Sequence, residues 1–200
     1  MKRFVDILGS GAALLVLLPL LAAVALAIKL TSPNPFQGSP VIFRQRRLGR
    51  NGKPFDLYKF RSMRVDAPDI RNPDGSAFSG EGDPRVTPIG RFIRKTSLDE
   101  LPQLFNVFKG DMSLVGPRPD QVDQIRFYDE QEKRKLLVKP GITGLAQISG
   151  RNDISWKMRK ALDVRYVEER TFLLDLEILM RTIPYVLLRK GIHTGVSPQA

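Results

Sequence analysis

Two hundred residues hold one domain with room for a membrane anchor and little room for a second domain. The chain has no cysteine and a single histidine, His193, which excludes disulfides, thiolate zinc sites, a histidine metal cluster and a conventional triad, and points any metal to oxygen ligands, hence Mg²⁺ or Mn²⁺. Thirty-two Lys and Arg against 21 Asp and Glu give a formal charge of +11, so the expected partner is anionic: nucleic acid, a phosphorylated small molecule or an acidic lipid surface.

Lys2 and Arg3 precede an uncharged run of 22 residues, Ile7 to Ile28, closed by Lys29. As a straight helix that run reaches roughly 33 Å, enough for the hydrocarbon core of a bilayer. It is long for a signal-peptide core, Pro19 interrupts it, and no convincing small-x-small cleavage site follows, so it reads as a membrane segment. Gly9-Ser10-Gly11 lacks the preceding strand of a dinucleotide fingerprint and reads as small-residue packing. A spanning helix is the commoner arrangement and the first expectation. The basic residues on both flanks, Lys2 and Arg3 before, Lys29, Arg44, Arg46 and Arg47 after, ask for both ends to be cytoplasmic, as in a helix broken at Pro19 that dips in and returns.

Thr31 to Pro40 is a turn-rich exit. Val41 to Phe43 and Pro54 to Phe60 read as strands around a turn at Gly49 to Gly52. Between Arg44 and Arg64 stand eight Lys/Arg and one acid, Asp56, which reads as a headgroup-facing surface; Lys59 and Arg61, in a strand-like context, are the exceptions nearest a reaction site. Residues 65–84, rich in Asp, Gly, Pro and Ser, predict a mobile loop with a lid role. A basic helix over Arg91 to Lys95 follows.

Thr96 to Phe108 carries two adjacent carboxylates, Asp99 and Glu100, just before an apolar-periodic run. Ser97 and Glu100 also fit a capping box, and Pro102 moves the helix start towards itself because proline disfavours helical geometry at the preceding residue. Either start leaves the two acids at a helix N-terminus, where ionisation and anion binding are favoured. Neighbours in sequence point in different directions, so two distinct roles fit better than a shared proton: one carboxylate attacks and the other holds a cation.

In Gly116-Pro117-Arg118-Pro119, the flanking prolines fix the backbone and present a guanidinium suited to phosphate or a nucleotide; a structural turn is the other reading. Gln121 to Leu137 predicts a charged helix with a solvated face. Lys139 to Asn152 combines a glycine-rich turn, a short strand and a second presented arginine, Arg151, without a Walker pattern. Ser155 to Arg170 predicts a helix in which an Arg159–Asp163 pair is the ordinary expectation. Phe172 to Leu188 predicts a core helix, or one lying in a membrane interface. His193 falls in a polar tail and takes no role.

The ordered motifs Lys2-Arg3-Phe4-Val5-Asp6, the proline-broken run, Val41 to Gln45, Tyr58 to Met63, Ser97 to Leu101, Gly116 to Pro119, Pro140 to Gly144, Gly150 to Asn152, and Leu162-Asp163 with Tyr166 resemble the monotopic phosphoglycosyl transferases, also called bacterial sugar transferases, over nearly the whole chain. The resemblance implies an α+β fold: a re-entrant helix-break-helix over 1–32, broken near Pro19, and a cytosol-facing catalytic domain over 33–200, mainly helical, with a small β element and interfacial helices. The chain resembles the minimal form, without the multi-pass N-terminal domain of larger relatives. Many members carry Ser-Pro at the break where this chain has Leu18-Pro19.

The activity implied is transfer of a sugar-1-phosphate from a UDP-sugar to polyprenyl (undecaprenyl) phosphate, giving UMP, at the cytoplasmic face of the bacterial inner membrane. Asp99 is then the nucleophile of a covalent phosphosugar-aspartate and Glu100 its Mg²⁺-linked partner, with Asp99 near the same ion. Pro117, Arg118 and Pro119 match a uridine/phosphate-binding turn, Lys59 and Asp163 match positions important for activity, and Arg61 and Arg151 join the substrate-binding set. No nucleic acid is expected. The rival from another class is a membrane-tethered binder of acidic lipid or nucleic acid, its Asp99 and Glu100 only capping a helix, although its basic residues lack interleaved aromatics. A third reading keeps the metal and makes Asp99 a ligand while lipid phosphate attacks directly.

Overall fold

The computed structural model describes residues 1–32, 39–72, 78, 82–150 and 153–188. A single helix, α1 (Lys2–Leu30), carries the apolar run and is long and apolar enough to cross a membrane, with mean hydropathy 2.7 over its most apolar 18 residues. It continues through Pro19 rather than stopping there. Its middle, around Leu15, Val16 and Leu18, is exposed, while both of its ends are fastened to the rest of the chain.

The fastening differs at the two ends. Near the N-terminus, Arg3 donates to the carbonyls of Val107 (2.6 Å) and Phe108 (2.8 Å), and buried Asp6 accepts from Ser113 Oγ and Leu114 N, both at 2.9 Å. Gly9 and Gly11 let this turn approach Leu114 and Phe108; a Cβ on Gly9 would lie 2.9 Å from Leu114 Cδ1, so the small-residue stretch packs as expected. Towards the C-terminus, Val24 and Ile28 pack with Phe60 and Ile93 in one apolar cluster.

Strands β1 (Ile42–Leu48) and β2 (Pro54–Phe60) form an antiparallel hairpin with Phe43 opposite Lys59. Its turn uses left-handed backbone at Asn51 (φ 57°) and Gly52 (φ 71°), which Asn and Gly tolerate best. β1 runs further than the expected Val41–Phe43 because pairing with β2 carries Arg44, Arg46 and Arg47 into the ladder. Helix α2 (Pro88–Lys95) starts at Thr87, whose hydroxyl accepts from Gly90 N, and α3 (Gln103–Lys109) follows Pro102 and ends at Gly110 (φ 104°). Asn106, fully buried in α3, grips the edge of β2: its Oδ1 accepts from Tyr58 N (3.0 Å) and its Nδ2 donates to Asp56 O (2.7 Å).

β3 (Ser113–Val115) pairs in parallel with β4 (Gly141–Thr143), and α4 (Leu145–Ile148), α5 (Trp156–Glu169) and α6 (Phe172–Leu187) complete the domain. Val115, Tyr166 and Ile178 make the core between β3, α5 and α6. The expected helix over Gln121 to Leu137 is instead two 3₁₀ stretches, Val122–Phe127 and Glu132–Leu137. Tyr128 leaves helical geometry to bury its ring with Leu48 and Trp156, and reciprocal bonds between Asp129 and Glu132 restart the chain after it. Nor is this stretch only a solvated face, since Lys135 is buried.

The described part of the 65–84 loop is held rather than loose. Buried Arg85 pairs with Asp83 at 2.7 Å and donates to the carbonyls of Pro68 and Phe78. α6 keeps Ile178 inside and leaves Phe172, Leu173, Leu176, Met180, Ile183 and Leu187 exposed, which is less burial than a core helix would have.

Candidate functional site

After α2 the chain reverses through Ser97 in left-handed geometry (φ 57°), and a 3₁₀ turn, Leu98–Glu100, carries the two acids before α3 begins. Ser97 makes no side-chain cap bond, so the capping-box reading does not hold. The turn brings Asp99 and Glu100 into the wall of a cavity of about 690 Å³, which Lys59, Arg61, Arg94, Arg118, Asp163 and Gln147 also line.

The neighbouring carboxylates have different surroundings. Glu100 is clamped: its Oε1 accepts from Lys59 Nζ at 2.8 Å and from Arg118 Nη2 at 2.6 Å, and Arg118 Nη1 lies 3.4 Å from Oε2. Asp99 is buried, yet no hydrogen-bond or ion-pair partner holds its carboxylate among the described residues. Burial pushes its pKa above the usual carboxylate value, opposed by the charge of Lys59, raised further by Glu100, and opposed again by Arg94 and Arg118. Burial lowers the Lys59 pKa, with Glu100 only partly compensating. For Arg118 the charge of Glu100 outweighs burial and raises it.

Lys59 reaches Glu100 because Asn106 locks β2 against α3. Arg118 is placed by a turn pinned along its length. Gly116 N donates to Thr143 O (2.9 Å), Gly141 N to Pro117 O (2.9 Å), and Arg47 Nη1 to Pro119 O (3.2 Å). Burial and the neighbouring Arg118 bring the Arg47 pKa down to about 10. Pro119 lines the cavity, while Pro117 stands behind it as part of the scaffold.

Behind the turn lies a buried charge cluster. Lys135 Nζ sits 2.9 Å from Asp120 and 2.6 Å from Asp163, Tyr128 donates to Asp120, and Asp163 Oδ1 is 3.4 Å from Arg118 N. Against the effect of burial, the two carboxylates raise the Lys135 pKa. One ammonium serves two acids: against burial, Lys135 and Tyr128 hold Asp120 below the usual range, whereas burial pushes Asp163 up. The cross-chain Lys135 pair, which α5 geometry alone does not suggest, gives Asp163 the task of fixing the backbone of the arginine turn.

Arg61 reaches the cavity wall, but its Nη2 donates to Ser32 Oγ just beyond α1, which ties it to the end of the apolar helix as well as to the site. Arg151 lies outside the described residues, as does His193. Arg94, Arg47, Asp120, Lys135 and Gln147 join the site without having been singled out. For Asp120 a signal was available, since it directly follows Pro119, and Gln147 lies in the glycine-rich stretch before Arg151; Arg94, Arg47 and Lys135 sit in stretches whose composition reads as ordinary surface.

A divalent ion has two adjacent carboxylates to meet here, Asp99 and Glu100, and no group of three or more acidic or histidine ligands stands among the described residues. That donor set fits magnesium, which is commonly bound through one or two carboxylates together with substrate phosphates.

The family model described as bacterial sugar transferase matches residues 1–189. The galactosyl transferase CpsE of Streptococcus agalactiae is 49% identical over 198 residues, covering 95% of this chain and 43% of the relative. The uncharacterized sugar transferase EpsL of Bacillus subtilis is 54% identical over 156 residues, covering 78% of this chain and 74% of the relative. An undecaprenyl-phosphate galactose phosphotransferase of Salmonella typhimurium is 44% identical over 204 residues, covering 96% and 42%. The chain thus spans less than half the length of two of these three relatives.

Proposed function

The chain belongs to the bacterial sugar transferase family, and from that membership we propose that it moves a sugar-1-phosphate from a UDP-sugar to undecaprenyl or a similar polyprenyl phosphate, releasing UMP. The names of relatives, an undecaprenyl-phosphate galactose phosphotransferase and a UDP-glucose:undecaprenyl-phosphate glucose-1-phosphate transferase, support donor and acceptor of this kind. The observation that carries the mechanism is the contrast between a clamped Glu100 and an uncommitted, buried Asp99 in one cavity.

Asp99 attacks the phosphorus that bears the sugar. The new carboxyl–phosphorus bond forms as the bond to the UMP oxygen breaks, and UMP leaves with that electron pair. Lipid phosphate then attacks the same phosphorus and displaces the Asp99 carboxylate, which restores the enzyme and yields polyprenyl-diphosphate-sugar. A carboxylate nucleophile divides one difficult displacement into two easier ones. Arg118 and Lys59 face the growing negative charge, and Glu100 holds both in place before substrate arrives. Magnesium, or manganese in its place, would be held by Glu100 and Asp99 and would neutralise the diphosphate. Asp163, held by Lys135, positions the Arg118 turn through the Arg118 backbone amide.

The reading extends to the membrane. A spanning α1 would hold its two ends about 30 Å apart across the hydrocarbon core. Support for a re-entrant α1 is that Arg3 and Asp6 at one end and Val24 and Ile28 at the other touch the same domain, with the exposed apolar middle between them. Both ends then face the cytoplasm, and the exposed apolar side of α6 lies in the interface, bringing the cavity to the acceptor headgroup.

Intact-protein mass spectrometry with Mg²⁺ and a panel of UDP-sugars, without lipid acceptor, tests the reaction. A sugar-phosphate adduct is expected, absent from Asp99→Asn and discharged by polyprenyl phosphate. UMP release only when lipid is present, with no adduct, would overturn the covalent route in favour of direct transfer.

A further inference from the structure

Gln147 is a buried polar group of the cavity wall to which the reaction above gives no task. It is only 7% exposed and lines the same cavity as Asp99 and Arg118. Neither its Oε1 nor its Nε2 has a hydrogen-bond partner among the described residues. A buried amide in this condition loses its contacts with water and gains none in return, a loss recovered by a ligand that offers an acceptor and a donor side by side.

The position of Gln147 relative to the arginine turn follows from Gly144. A Cβ on Gly144 would lie 2.2 Å from the carbonyl oxygen of Gly116 and 3.0 Å from Gln147 Oε1. The glycine therefore brings the amide next to the residue from which Pro117, Arg118 and Pro119 continue. Resting on the proposed function, in which Arg118 takes the nucleotide's phosphates, we infer that Gln147 reads the imide edge of the uracil ring. Its Nε2 donates to a ring carbonyl and its Oε1 accepts from N3–H. Cytosine offers the same two kinds of group in the opposite order and meets the amide turned over. The change this contact rejects is therefore methylation of N3, which removes the donor and leaves Oε1 facing a methyl group.

Titration calorimetry of the full chain in lipid nanodiscs, with UMP and N3-methyl-UMP, tests the assignment. The wild type is expected to bind UMP at least about tenfold more tightly, the scale of one good bidentate contact. Gln147→Leu should weaken UMP until the two nucleotides agree within about twofold. If that variant does not fold, Gln147→Met, close in length and without the amide's donor and acceptor, should likewise weaken UMP until the two nucleotides agree within about twofold. Variants that keep the tenfold preference overturn the role of Gln147 while leaving the transferase reading intact. Weakened binding of UDP-sugar with unchanged UMP would move Gln147 to the sugar and overturn it likewise. A wild type that binds neither nucleotide sinks this inference together with the reading beneath it.

Discussion

Asp99 and Glu100 are neighbours in the chain, and what separates their roles is which cations reach them. Because burial raises the Asp99 pKa, the charged form is held at a cost in the folded protein. The stability linked to that group is full below the unfolded pKa and is lost as pH rises through the folded one. At neutral pH, Asp99→Asn should therefore raise the melting temperature, by about 2–4 °C for each kcal/mol in a chain of this size, while abolishing the covalent adduct. Calorimetry and mass spectrometry on one preparation check both halves; a lower melting temperature would contradict the burial argument. Lys59 shifts the other way. Burial lowers its pKa, so its proton, and the grip on Glu100, is lost at a lower pH than for an ordinary lysine. The alkaline limb of the rate profile should accordingly begin below the usual lysine range, and Lys59→Arg should move that limb upward while lowering the maximal rate. An alkaline limb that does not move in Lys59→Arg would assign it to another group.

Among the elements, α1 and α3 define the arrangement more than the sheets do. The two strand pairs are small, and the hairpin is held towards the site by Asn106, which completes hydrogen bonds at the edge of β2, and by packing of Leu57 on Val107 and Met112. Arg3 caps the carbonyl end of α3, where partial negative charge accumulates, and Asp6 satisfies a hydroxyl and an amide at the start of β3. Asp6→Ala strands Ser113 Oγ and Leu114 N, and unsatisfied buried donors cost about 1–3 kcal/mol each. The variant should unfold at a distinctly lower temperature in the same detergent, whereas Asp6→Asn, which keeps an acceptor, should lose less. Equal losses would show that the charge, rather than the acceptor, is what β3 needs.

For the whole molecule, the open question of topology reduces to whether the two ends of α1 share one aqueous side. The chain has no cysteine, so single substitutions report without background. Lys2→Cys and Thr31→Cys should both react with a membrane-impermeant maleimide in inverted vesicles and both stay protected in vesicles of native orientation. Labelling from opposite sides would establish a spanning helix and detach the N-terminal contacts from the functional state. The +11 charge belongs to this scale as well, because the basic β1 ladder, exposed at Arg44 and Arg46, follows in the chain a helix long and apolar enough to cross a membrane.

Features that depend on nearby residues could be read from the chain alone. The apolar run, the start of α3 beside Pro102, the paired acids, and an arginine fixed between prolines each follow from local chemistry, and together they identified the family resemblance. The burial of Lys135 between Asp120 and Asp163 was not legible, because a lysine in a charged stretch looks the same whether it meets water or two buried carboxylates. For the same reason the stretch around Tyr128 read as one helix, although packing of its ring against Trp156 and Leu48 breaks it in two. The separation of a clamped Glu100 from an Asp99 and a Gln147 amide that have no hydrogen-bond partner among the described residues arises where β2, α4 and the arginine turn converge on one cavity. Those elements are distant in sequence, so only tertiary structure decides which of their side chains pair with one another and which remain available to a ligand.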